Sequence, residues 1–154
     1  MSLGRKYDAS PHPQNSAEKA LYREIHGWIA TIEDIIAYLP EITNDAPTEV
    51  YFQYFKEIAD YLTSIAVKLR RYEDIERQSY FRIFQRSKRI RDFNGVALKQ
   101  IDAAAKVFEG YQKKPSSYSK HKSITALRSA TNQLENLREV TVHTYRKHRL
   151  HSEG

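Results

Sequence analysis

Cysteine is absent from all 154 residues, which excludes disulfides, thiolate nucleophiles and thiolate-bound metal. Such a chain suits a reducing compartment, and we expect a cytoplasmic protein. No run of about 18 apolar residues occurs, so no segment reads as a membrane span, and the first residues lack the apolar core of a secretory leader. Glycine and proline are scarce, at five each, and no proline falls between Pro47 and Pro115. Every β-hairpin needs turn residues, so a stretch of that kind argues for helices and against a multi-stranded sheet. No glycine-rich phosphate loop, nucleophile elbow or paired-carboxylate motif is found, and we expect neither cofactor nor metal.

What is present is an amphipathic pattern on a chain long enough for one domain with a core. Apolar residues make up 40% and charged residues 29%, a balance that disordered tails and membrane proteins do not have. Leu21, Ile25, Trp28, Ile32, Ile35, Ile36 and Leu39 recur at helical steps and share one face. Asn15 and Glu18 resemble a capping box ahead of them, and Pro40 stops the run, predicting a first helix over 16–39. After a loop with Asn44 and Asp45 as caps, Tyr51, Phe55, Ile58, Leu62, Ile65, Leu69 and Tyr72 follow at alternating steps of four and three. That is the seam of a helix packed along a partner. Lys68, Arg70 and Arg71 then give way to Glu73, Asp74 and Glu76. Cations favour a helix C-terminus and anions an N-terminus, so a break is expected at 71–74, with a continuous helix to Phe93 as the alternative.

The third pattern joins Ile83, Ile90, Phe93, Ala97, Ile101, Ala104, Phe108 and Tyr111. Its phase survives Asn94-Gly95, which predicts one helix over 74–112, kinked there, with two shorter helices as the alternative. Lys113–Ser119 reads as a connection. A fourth helix over 120–147 turns Ile124, Leu127, Ala130, Leu134, Leu137 and Val140 inward. Four amphipathic rods must share a core, so the expected fold is all-α, an antiparallel four-helix bundle. Residues 1–15 read as a lead-in, 16–148 as the bundle and 149–154 as a basic tail. Met1, Ser2, Leu3, Glu153 and Gly154 read as residues added for expression, and the chain as a piece of a longer protein.

Charge is unevenly spread. Residues 1–67 hold five Lys/Arg against ten Asp/Glu, and residues 68–154 hold 20 against nine. Asymmetry of this kind points to an anionic partner for the second half, or to pairing between the halves. The densest cationic run lies on the third helix, where Arg82, Arg86 and Arg89 form a ridge at i, i+4 and i+7 with Lys88 and Arg91 beside it and Tyr80 and Phe81 near. Guanidinium groups can neutralise phosphates and aromatics can stack on bases; a solvated face paired with Glu18, Glu24, Glu33 and Asp34 is the plainer reading. An acidic protein surface or a nucleic acid is the expected partner. Tyr54 and Tyr61, seven residues apart and off the main seam, suggest a second apolar edge and with it a homodimer.

Arg138, His143 and Tyr145, in LREVTVHTY, form an R-x4-H-x-Y pattern. It resembles the HEPN superfamily of small helical bundles, whose nuclease members cut RNA without a metal at a dimer interface. The resemblance covers these positions and the all-helical build. It implies His143 as general acid or base at the 2′-hydroxyl, Arg138 stabilising phosphorane charge and Tyr145 orienting the phosphate. On one straight helix, five residues rotate through about 500°, leaving Arg138 and His143 about 140° apart, so convergence requires a kink or a second subunit. His143, His148 and His151 do not read as a metal site, because Arg146, Lys147 and Arg149 surround them. The primary expectation is a non-enzymatic helical interaction module with a basic face; a metal-independent ribonuclease and a self-associating bundle are the alternatives.

Overall fold

A computed structural model describes residues 13–41, 48–78 and 80–153, with side chains described over 19–41, 51–73 and 90–141. Four helices follow in chain order: α1 (Pro13–Ala37), α2 (Thr48–Gln78), α3 (Tyr80–Lys113) and α4 (Lys120–Glu153). A single 3-10 turn, Pro115–Ser117, joins α3 to α4. The all-α bundle is thus the fold, and among the described residues there is no strand and no helix long and apolar enough to cross a membrane.

The boundaries refine the expected ones. Helix α1 opens on Pro13, where the missing proline N–H is one that no helical carbonyl would have received; Asn15 and Glu18 therefore lie inside the helix, which starts ahead of the expected position 16. Its last turn closes through Tyr38 N donating to Asp34 O at 3.1 Å, after which Leu39 and Pro40 leave the helix. The proposed caps Asn44 and Asp45 lie outside the described residues. Helix α2 passes through 71–74 without a break and ends at Gln78, so neither the early break nor a single helix to Phe93 is correct. Helix α3 runs unbroken across Asn94-Gly95, with no glycine at positive φ among the described residues. Helix α4 starts on a cap, Lys122 N donating to Ser119 Oγ at 3.2 Å. It continues to Glu153, beyond the expected end at 147 and through the supposed tail.

The chain runs up, down, up and down. Backbones of α2 and α3, of α3 and α4, and of α4 and α1 lie alongside one another, whereas α1 and α2 approach less closely. Helix separation depends on the side chains at the contact, and α2 shows why its two flanks differ. Ala59, Ala66 and Arg70 lie on one ridge at i, i+7 and i+11, and Arg70 Nη2 reaches Asp102 Oδ2 of α3 at 2.7 Å. Small residues there let α3 come close. Tyr54, Tyr61, Lys68 and Tyr72 make the opposite flank, where Lys68 Nζ meets Glu24 Oε1 of α1 at 3.6 Å and Tyr54 Oη donates to Tyr38 O at 3.5 Å. Large side chains hold α1 off. Tyr54 and Tyr61 are half-buried against the core, and Tyr54 also reaches the backbone just past the end of α1.

Ile25, Ile32, Phe55, Leu62, Ile65, Leu69, Ile101, Phe108, Leu127, Leu134 and Leu137 fill the core, all essentially without exposure. At the end that gathers the C-termini of α1 and α3, here called the base, an aromatic cluster closes the bundle. The Phe55 ring centroid lies 6.2 Å from Phe108, 5.4 Å from Tyr111 and 4.9 Å from Tyr118. The hydroxyls at the rim reach backbone carbonyls beside the helix ends: Tyr118 Oη donates to Pro40 O at 2.7 Å, and Tyr111 Oη donates at 3.3 Å to Ser119 O, which also accepts from Ser123 N at the start of α4.

Burial, reinforced by Tyr111, Tyr54, Glu41 and Tyr51, pushes the Tyr118 phenol up from 10.0 to about 12. Burial and then Glu24 push Tyr72 to about 12 as well. Between pH 10 and 12 the folded state therefore holds protons that the unfolded chain has released, so stability is intact below pH 10 and falls as pH rises towards 12. Denaturant midpoints at pH 9 and 11 check this: the wild type should lose stability between them, and Tyr118→Phe should lose less. Equal losses would show that Tyr118 titrates as it does in the unfolded chain.

One polar side chain enters the α2–α3 interface. Asn94, 2% exposed, donates from Nδ2 to Leu69 O at 3.0 Å, and its Oδ1 has no partner among the described residues. The Gly95 position faces Glu73 Oε1, 3.9 Å from where a Cβ would stand. A buried polar contact of this kind fixes one register between two helices that apolar packing alone would allow to slide.

Candidate functional site

Antiparallel order decides which charged segments meet. The base gathers the end of α1, the start of α2, the end of α3 and the start of α4. The opposite end, the tip, therefore gathers the start of α3, the end of α4, the end of α2 and the start of α1. Arg82, Arg86, Lys88, Arg89 and Arg91 all belong to the first turns of α3. Arg146, Lys147 and Arg149 belong to the last turns of α4, on the helix that packs along α3. Two cationic segments far apart in sequence thus share one end of the molecule. No Asp or Glu interrupts Tyr80–Arg91.

The side chains of Arg82, Arg86, Lys88 and Arg89 lie outside the described residues. Arg91 is half-buried, and its Nε is shielded from solvent with no hydrogen-bond partner among the described residues. It leans into the bundle more than a solvated ridge member would.

Arg138 is half-buried on α4 and turned towards α1. Its Nη1 lies 3.2 Å from Nδ1 of His26. A guanidinium has only donors, so in this contact the ring nitrogen is on the accepting side. His143 and Tyr145 stand on the same helix, with side chains outside the described residues. Helix α4 is continuous through 138–145, so no break in it brings positions 138 and 143, about 140° apart around a straight helix, onto one face. The side chain that meets Arg138 is His26, 112 positions away. Sequence spacing could not find it, since His26 falls on the polar side of α1 and nothing local links it to α4. The one available signal was its place at i+7 from Lys19 and i+3 from Arg23, a short cationic ridge.

Towards the base, the same α1–α4 seam opens into a groove of about 480 Å³ lined by Glu33, Ile36 and Ala37 from α1 and Arg128, Thr131, Asn132 and Glu135 from α4. Its wall mixes both charge signs with a hydroxyl that is already engaged, Thr131 Oγ1 donating to Arg128 O at 3.0 Å. Among the described residues no three His, Asp or Glu side chains converge as metal ligands would. The described part of the seam is thus mixed in charge near Glu33 and Glu135, with the Arg138–His26 contact beyond it towards the tip.

Comparison with family models, with curated proteins and with solved structures finds no match to this chain.

Proposed function

We propose that the chain is a non-enzymatic helical interaction module that binds an anionic partner through the cationic tip formed by the start of α3 and the end of α4. The observation that carries this reading is the antiparallel order of α3 and α4, which puts both cationic segments on one end. Like charges gathered on neighbouring rods repel one another and lower stability, unless a partner of opposite charge offsets them. Arg82, Arg86, Lys88 and Arg89 supply the ridge on α3, Arg91 borders it, and Arg146, Lys147 and Arg149 supply the α4 side. Of the acidic residues, Glu33 and Asp34 sit near the other end of α1, whereas Glu18 at the start of α1 and Glu73, Asp74 and Glu76 at the end of α2 belong to the tip and offset part of its charge.

Immobilised heparin, a generic polyanion, tests the electrostatic claim. Wild type should be retained and released by salt, because neutralising fixed anions displaces their counterions. Combined Arg82→Gln, Arg86→Gln and Arg89→Gln should elute at clearly lower salt, with the slope of log affinity against log salt reduced by about one per cation removed. Retention that ignores ionic strength, or an unchanged triple variant, contradicts the proposal.

A further inference from the structure

Asn94-Gly95 is the one Asn-Gly pair in the chain; the other asparagines, Asn15, Asn44, Asn132 and Asn136, precede Ser, Asp, Gln and Leu. Such a pair carries its own reaction. The glycine nitrogen can attack the amide carbon of the asparagine side chain, because no Cβ obstructs it and the backbone turns freely at glycine. A bond forms from Gly95 N to Asn94 Cγ, the Cγ–Nδ2 bond breaks, and ammonia leaves with the proton that Gly95 N gives up. Water then opens the cyclic imide at either carbonyl. One opening gives aspartate; the other routes the main chain through the side-chain carboxyl carbon, as isoaspartate.

The fold keeps the reacting groups apart. Helix α3 is unbroken across the pair, so Gly95 N–H is engaged in the helical ladder and helical dihedrals hold it away from the side chain. Asn94 Nδ2, the leaving group, donates to Leu69 O at 3.0 Å. At 2% exposure the side chain is shut off from the water that must open the imide. The lock has a loose point, since Asn94 Oδ1 is buried with no hydrogen-bond partner among the described residues, which weakens the contact that closes α2 onto α3. Packing does not call for glycine at 95. A Cβ there would meet only Glu73 Oε1, at an ordinary 3.9 Å, and glycine inside a helix is less stable than alanine.

We infer that Asn94-Gly95 is a concealed deamidation site, which reacts when α2 parts from α3 and then bars the two helices from closing again. Aspartate at 94 has no donor for Leu69 O and sets a negative charge beside it, with Glu73 near. Isoaspartate adds a carbon to the main chain and interrupts the ladder of α3. A reversible opening thus becomes a permanent one, and the chain carries a chemical mark of having opened.

Peptide mapping by mass spectrometry tests this on the full chain. Trypsin cuts after Arg91 and Lys99, and the peptide 92–99 holds Asn94 as its only asparagine. The protein is kept at mildly alkaline pH, in native buffer and in urea above the unfolding midpoint. Conversion of this peptide to its acid forms should be at least about 100-fold slower in native buffer, because reaction requires the contact to open. Gly95→Ala should fold and should lose the fast conversion in urea. Leu69→Ala, which removes core packing between α2 and α3, should speed conversion in native buffer by about 10-fold or more. Once urea is removed, unconverted chains should regain the original urea midpoint and converted chains should not. Equal rates with and without urea overturn the concealment, as does an unchanged rate in Leu69→Ala. Fast conversion of Gly95→Ala in urea overturns the role of the glycine, and converted chains that regain the original midpoint overturn the one-way consequence.

Discussion

Phe55→Ala should destabilise the bundle by about 3–5 kcal/mol, the usual range for a large aromatic removed from a core. Phe55 has no exposed surface, and its ring meets Tyr51, Tyr54, Phe108, Tyr111 and Tyr118 at centroid distances of 4.9–6.4 Å. Those neighbours come from α2, α3 and the connection before α4, and two of them tether loop carbonyls, so they cannot readily collapse into the void. A domain of this size loses about 2–4 °C of Tm per kcal/mol, which gives a fall of roughly 10–15 °C. Phe52→Ala is the matched control on the same helix. Phe52 is 44% exposed, and its loss should cost within about 0.5 kcal/mol. Thermal melts of the two variants side by side decide the matter. Equal shifts would mean that the aromatic cluster does not close the base.

A second large effect is expected at Asn94. Replacing its amide with a carboxylate, Asn94→Asp, removes the donor to Leu69 O and sets a buried negative charge against that carbonyl, with Glu73 nearby. An uncompensated buried charge costs about 3–5 kcal/mol. The introduced carboxyl should have a raised pKa in the folded state. Its penalty is therefore full well above neutral pH and shrinks as pH falls towards the unfolded value near 3.9. Asn94→Leu should behave differently. It removes the unpartnered Oδ1 together with the amide, while Leu69 O retains its place in the helical ladder, so the cost should stay near 1 kcal/mol. Urea melts at pH 7 and pH 4.5 separate the two. If Asn94→Asp were as mild as Asn94→Leu, the amide would not be holding α2 to α3.

Most of the fold is legible in the apolar spacing. The steps from Phe55 to Leu69 mark the α2 seam, and every one of those positions is buried. Where the spacing is overruled, charge is the misleading signal. The switch from Lys68, Arg70 and Arg71 to Glu73, Asp74 and Glu76 looks like the junction of two helices, because a macrodipole favours that order. In the structure Lys68 and Arg70 are engaged sideways, with Glu24 on α1 and Asp102 on α3, and the helix continues to Gln78. Lateral pairing and end effects leave the same trace in a sequence. Asn94-Gly95 has the composition of a stop, yet Asn94 is held by a carbonyl on another helix and the rod continues.

The candidate site divides in the same way. The α3 ridge is visible because its members are neighbours in sequence, and its meeting with the end of α4 requires only the up-and-down order. The Arg138–His26 contact is not visible. It depends on the rotation of α1 against α4, which is set by core packing along both helices and appears in no local pattern.

The shared cationic end can be measured directly, since a chain without cysteine accepts labels only where they are placed. Gln85→Cys with Thr144→Cys puts one spin label on the start of α3 and one near the end of α4. Side-by-side helices 8–10 Å apart, with the reach of two labels added, should give a distance of about 15–25 Å. A distribution centred beyond about 35 Å, as parallel or separated rods would give at 1.5 Å per residue, would contradict the antiparallel order on which the cationic tip depends.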